Sequence, residues 1–181
     1  MHLPDLTKRP AEDLFAIHAA ILDELRKRGL VRSYNNPVGD YAERLVCHAL
    51  DLVPTANSAS GYDAYDEATG KRYQIKARRL TEHNKSRLLS SLRVLETDPF
   101  DFLVGVLFDA HLRPARACVV PISVVKTNVG FSAHTNAHRF VLRDSVWQLP
   151  GVEDITERIQ AVVATADLKV KYAKFGTPSG Q

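Results

Sequence analysis

The sequence predicts a single globular domain of α/β or α+β type, a sheet with helices packed on its faces. Three observations carry this. Two helical stretches with apolar residues at spacings of three and four open the chain. Alternating polar and apolar residues around Gly70, followed by the apolar run Phe100 to Phe108, read as strands. A third helical stretch, with Ile155, Ile159 and Val162 on one side, closes the order. A chain of 181 residues, 45% hydrophobic, suits one domain with a real core. Its layout reads as an N-terminal helix and linker over 1–37, a core domain over 38–166 and a basic, flexible tail over 167–181.

The first helix runs from Ala11 to about Leu30. Leu14, Ile17, Ile21 and Leu25 form its stripe, Phe15 and Leu22 widen it, and Gly29 marks its end. Glu12 and Asp13 early and Arg26, Lys27 and Arg28 late suit the helix dipole. The segment Ser33 to Pro37 (SYNNP) breaks the pattern. A second helix is expected from about Val38 to Val53, with Val38, Ala42, Leu45, Val46, Ala49 and Val53 buried, Glu43 at the edge of that stripe and Pro54 as its stop. Thr55 to Ser60 is a polar loop.

Gly61 to Arg79 reads as two short strands joined by the turn residues Asp66 to Gly70, with Asp63 on the first strand. On the second, Tyr73, Ile75 and Ala77 point one way while Arg72, Gln74, Lys76 and Arg78 point the other, because a strand has period two. After a polar loop, Leu88 to Leu95 is a short helix or an irregular segment. Phe100 to Phe108 is a central strand buried on both faces. Asp109 to Pro114 turns the chain into a strand at Arg116 to Pro121, a second hairpin. A short helix (Ile122 to Val129), a loop (Phe131 to Ala137), a strand (His138 to Leu142), a turn (Asp144 to Leu149) and the last helix (Val152 to about Ala166) complete the order.

Lys and Arg total 24 against 21 Asp and Glu, a mild net charge of +3. Its distribution is uneven. Residues 71–93 hold eight bases (Lys71, Arg72, Lys76, Arg78, Arg79, Lys85, Arg87 and Arg93) against one acid, Glu82: a local +7 that leaves −4 elsewhere. Such a segment is either a polyanion-binding face or a solvated basic surface. The two cysteines, Cys47 and Cys118, sit in apolar surroundings outside any CxxC, which points to buried thiols in a reducing compartment. The N-terminus lacks a signal-peptide apolar core, and no apolar run reaches the roughly 18 residues needed to span a membrane. A cytoplasmic protein without a membrane partner is the expectation.

The chemistry centres on Asp63, Gln74 and Lys76, with Glu43 from the preceding helix. Gln74 and Lys76 share a strand face, and Asp63 on the adjacent strand can join them. Magnesium takes oxygen ligands, which two carboxylates and an amide oxygen supply. A bound magnesium lowers the pKa of a water and neutralises phosphate charge. Lys76 would orient that water or stabilise the developing negative charge. An ordinary half-buried strand gives the same alternation without any site. Other motifs are poorer: HTNAH (His134 and His138) lacks a third zinc ligand, and Gly70-Lys71 lacks both the first glycine and the Ser or Thr of a phosphate loop.

Glu43 on a helix, Asp63, the apolar-flanked Gln74-Ile75-Lys76 and the strand Phe102 to Phe108 together resemble the PD-(D/E)xK nuclease superfamily over about residues 38–145. The resemblance implies a restriction-endonuclease-like α/β core, a mixed central sheet flanked by helices. It implies a DNA endonuclease that hydrolyses phosphodiester bonds with magnesium, or with manganese in its place. Asp63 matches the motif's acid, Lys76 its lysine and Glu43 the helix glutamate of part of the family. Asp63, Glu43 and Gln74 would be the metal ligands. Arg78, Arg79, Lys85, Arg87 and Arg93 would contact DNA phosphates, and a homodimer is expected by analogy. Two departures stand out: Tyr62 replaces the proline before the acid, and Gln74 replaces the usual second acid, as in some branches of the superfamily. The alternative is a nucleic-acid-binding or interaction module that keeps the fold without catalysis.

Overall fold

The structure, a computed structural model, describes residues 4–32, 36–55, 61–89, 91–92, 94–132 and 137–165. It is a mixed α/β fold. Helix α1 (Ala11–Lys27) carries Glu12 and Asp13 in its first turn and Arg26 and Lys27 in its last, as the dipole favours. Of its apolar stripe only Leu22 is buried; Leu14, Phe15 and Ile21 stay exposed. Helix α2 (Val38–Leu50) starts where Val38 N donates to Asn36 Oδ1 at 3.1 Å. It ends at Asp51, whose left-handed backbone (φ 56°) lets Leu52 N reach back to Cys47 O. The helix therefore stops before Val53, which the sequence pattern had assigned to its buried stripe. Val53 lies in a two-residue strand instead.

That strand, β1 (Val53–Pro54), pairs antiparallel with β2 (Ala64–Tyr65), which pairs antiparallel with β3 (Arg72–Arg79). The turn between β2 and β3 is built by Asp66, whose Oδ1 accepts from Ala68 N and Thr69 N, with Gly70 at φ +69°. β3 runs parallel to β4 (Phe102–Phe108), which pairs antiparallel with β5 (Pro114–Pro121). Pro114 and Pro121 close the hairpin's strand at either end. β8 (Glu153–Asp154) adds antiparallel to β5, so the six-stranded sheet has the order β1-β2-β3-β4-β5-β8. β6 (Gly130–Ser132) and β7 (Ala137–Arg139) form a separate two-stranded ribbon where a loop and a longer strand had been expected. Where a short helix or an irregular segment is expected, bridges tie Leu88 to Val141 and Leu92 to His138, and a 3₁₀ turn follows at Leu95–Thr97.

β4 is buried on both faces, as its unbroken apolar run predicts. Val104, Val106 and Phe108 pack on one side with Ala42, Leu45 and Val46 of α2 and with Ile155, Ile159 and Val162 of helix α4 (Thr156–Ala164) and its N-cap. Leu103 and Leu107 pack on the other side with Leu89, Leu92, Phe140, Leu142 and Val125 of helix α3 (Ile122–Asn128). The sheet is thus covered by two helices on one face. Its other face carries α3 and the crossover that a parallel β3–β4 pair requires. No helix among the described residues is long and apolar enough to cross a membrane.

Candidate active site

The alternation of β3 decides the faces. Tyr73, Ile75 and Ala77 pack toward α2, so Gln74, Lys76 and Arg78 project to the opposite face. Asp63 is held just ahead of β2 and not within it. Thr55 N donates to Asp63 O at 2.9 Å, and Asp63 N donates to Tyr73 O at 2.9 Å. The Thr55 hydroxyl also reaches Asp63 O at 3.0 Å. With its backbone fixed between β1 and β3, Asp63 turns its carboxylate along the edge of the sheet. Oδ2 accepts from Ile75 N at 2.7 Å and from the side-chain amide of Gln74. The carboxylate so continues the ladder that β2 abandons after two residues.

Gln74 is 9% exposed, one of two polar side chains in the described core. A carboxylate can only accept, so the Gln74 –NH₂ faces Asp63 and its Oε1 faces away. Neither Gln74 Oε1 nor Asp63 Oδ1 has a hydrogen-bond partner among the described residues. Lys76 stands two residues on, half-buried, with no ion pair or hydrogen bond among the described residues. Its neighbour on β4 is Gly105. A Cβ at Gly105 would lie 2.7 Å from Leu142 Cδ2 and 3.3 Å from Leu89 Cδ1. The missing side chain is the space those two leucines fill, and they wall the site on its β4 side.

Glu43 does not join Asp63, Gln74 or Lys76 through any hydrogen bond or ion pair. Its Oε2 pairs with the Arg32 guanidinium, and its side chain is 20% exposed. Arg32 is anchored in turn, its amide donating to Asp40 Oδ2 at 2.6 Å and its carbonyl accepting from Arg26 Nη1 at 2.8 Å. One turn after Glu43, burial pushes the Cys47 thiol up to about 12; Arg32 and Arg44 oppose the rise and Asp63 adds to it. Cys47 therefore lies within the fields of both Arg32 and Asp63. No group of three or more His, Cys, Asp or Glu side chains that could hold a metal occurs among the described residues. Arg32 carries no local sequence signal, because the SYNNP break separates it from α2.

The basic segment is dispersed by its acids. Lys71 and Arg72 both pair with Asp101, at 3.8 and 3.2 Å, and Arg72 also donates to Asp98 O at 2.8 Å. Burial pushes the Asp101 carboxyl up, but the Arg72 amide and guanidinium, with Lys71, outweigh it and hold the carboxyl below its ordinary value. Arg79 donates from Nε and Nη2 to Ala110 O, at 3.1 and 2.6 Å, and so ties β3 to the β4–β5 turn. Arg87 pairs with Asp144 at 2.7 Å, as does Arg116, whose guanidinium stacks 3.7 Å from the Trp147 ring centroid. Of the phosphate-contact candidates, Arg78 and Lys85 have no ion pair or hydrogen bond among the described residues, and Arg78 Nε is buried without an acceptor. Arg93, Tyr34, Asn35, His134 and the basic tail lie outside the described residues. No family model matches the chain, and no curated protein is significantly similar to it.

Proposed function

We propose that the chain is a metal-dependent DNA endonuclease of restriction-endonuclease-like type, which hydrolyses phosphodiester bonds. The observation that carries the reading is the seating of Asp63 against Gln74 at the sheet edge, with an ion-pair-free Lys76 on the same strand face. The donor chemistry fits a hard divalent cation. Asp63 Oδ1 and Gln74 Oε1 are oxygens with no competing hydrogen bond, and magnesium typically takes one or two carboxylates plus water and substrate phosphate. Asp63 and Gln74 would hold the ion, and Glu43 would join as a third ligand through the oxygen that Arg32 leaves open. The ion, magnesium or manganese, supplies charge neutralisation and a more acidic bound water.

The protein's own residues do the rest. The Ile75 amide and the Gln74 –NH₂ fix the Asp63 carboxylate in one orientation before substrate arrives. Lys76 has no counter-ion among the described residues, so its ammonium would be available to a phosphate oxygen or the attacking water, where it would stabilise charge that develops in the transition state. Arg78 and Lys85 supply phosphate contacts beside it. A homodimer, in which two copies address two strands, belongs to this reading by analogy, and two buried free thiols agree with a cytoplasmic setting.

One observation favours a second reading, a DNA-binding module without catalysis. Gln74 already donates to Asp63 and brings no negative charge of its own. The two separate on incubation of plasmid DNA with the protein and magnesium or manganese, beside Asp63→Asn and Lys76→Ala. Metal-dependent cutting lost in both variants supports the endonuclease. DNA binding without cutting leaves the module, and no binding at low salt removes both.

A further inference from the structure

We infer that α1 is a self-association element, which pairs antiparallel with α1 of a second copy of this chain. The inference rests on the exposed face of the helix and on none of the catalytic assignments. Phe15 is 77% exposed, Ile21 53% and Leu14 37%, while Leu22 is the one buried residue of the helix. Leu14 and Ile21 leave one side of the helix only partly covered, with Ile17 between them half-buried, while Phe15 projects about 100° round from Leu14 and outside that side. Leu14, Ile17 and Ile21 recur at three and four, a stripe that suits a helix–helix seam.

The charges select a second α1 as the occupant. Asp13, Ala20 and Lys27 recur at intervals of seven along one flank of that stripe. In an antiparallel pair with its two-fold axis at Ala20, Asp13 of each copy meets Lys27 of the other. The two ion pairs are equivalent, as an isologous interface requires. Ala20 at the axis permits close approach, and the layers beside it match Ile17 of one helix with Ile21 of the other. The acids of the first turn and bases of the last make any antiparallel neighbour of the same sequence complementary, and a parallel one repulsive. Lys27 has no ion pair among the described residues, and Asp13 meets Arg9 only at 3.8 Å with both side chains half exposed, a contact that offers little resistance to exchange.

Sedimentation velocity and light scattering on the full chain, from about 1 to 100 μM, test this. The wild type is expected to be a dimer, and Ile21→Glu to weaken it by about 100-fold, since one apolar residue is lost on each side. Asp13→Lys or Lys27→Asp alone should shift the equilibrium toward monomer, and the double variant should restore it. All three positions are exposed, so the far-ultraviolet spectrum and thermal midpoint of each variant, taken at dilutions where the chain is monomeric, should match the wild type. A wild type that stays monomeric overturns the inference. So does a dimer that Ile21→Glu leaves intact, or a charge exchange that fails to restore what the single changes weaken. Plasmid cleavage is scored separately, so loss of cutting with the dimer intact would count against the endonuclease alone.

Discussion

Asp63 Oδ2 accepts from a strand amide and from a buried side-chain amide, so the residue has a structural task beside the chemical one proposed for it. The two come apart by substitution. Asparagine keeps an acceptor oxygen for the Ile75 amide but loses the charge that a metal ion needs. Asp63→Asn should cost less than about 1 kcal/mol in chemical denaturation yet lower cleavage at least about 100-fold. Asp63→Ala strands the Ile75 N–H and the Gln74 –NH₂, and should cost about 1–3 kcal/mol as well as the activity. Gln74→Glu makes the opposite probe. It removes a donor from Asp63 and sets a second carboxylate beside it, which without metal should destabilise the fold by about 1–3 kcal/mol. Magnesium should then raise the thermal midpoint of Gln74→Glu more than that of the wild type, because a ligand bound only by the folded state stabilises it by mass action. Equal shifts in both proteins would remove Gln74 from the ligand set.

At the scale of elements, β4 was the most legible part of the chain. Seven consecutive residues of which the last six are buried leave a central strand as the one assignment that fits. The period-two split of β3 was legible for the same reason, and it correctly separated Ile75 from Gln74 and Lys76. The short strands were not. β8 is a two-residue segment, Glu153–Asp154, exposed on both sides, and its pairing with Cys118 and Val119 depends on residues more than thirty positions away. Val53 was assigned to α2 because it continued the helical spacing, but Asp51 takes a left-handed backbone and ends the helix first. Gly105 shows the same gap between pattern and packing: a glycine within an apolar strand looks like a weak point, yet Leu142 and Leu89, both fully buried, occupy its missing side chain. Gly105→Ala should cost about 1–3 kcal/mol by overpacking. Gly39→Ala, in the first turns of α2 with nothing within 4 Å, should gain up to about 1 kcal/mol. Urea unfolding of the two variants gives opposite signs if the leucine wall is as tight as described.

For the molecule as a whole, sequence alone gives the basic segment eight charges, whereas the fold returns much of that charge to its own acids. Asp101 takes Lys71 and Arg72, Asp144 takes Arg87, and the carbonyl of Ala110 takes Arg79. These partners come from 29 to 57 positions further along the chain (Asp101 is 29 from Arg72, Asp144 is 57 from Arg87), so no local window reveals them. Under the proposed function, Lys76, Arg78 and Lys85 are the described candidates that remain to meet phosphate. Affinity for duplex DNA should fall with salt at a slope near 0.9 per neutralised phosphate, about −2.7 for three contacts in each protomer. A segment acting with all eight of its charges would give about −7. Lys85→Ala, at an exposed position with no partner among the described residues, should reduce the slope by about one while leaving stability unchanged. Arg79→Ala should leave the slope alone and lower stability, because its guanidinium ties β3 to the β4–β5 turn. Fluorescence anisotropy with one duplex over a salt series measures all three proteins. A wild-type slope near −7 would mean that the Asp101 and Asp144 ion pairs open on DNA, and the polyanion face would then extend over the whole segment.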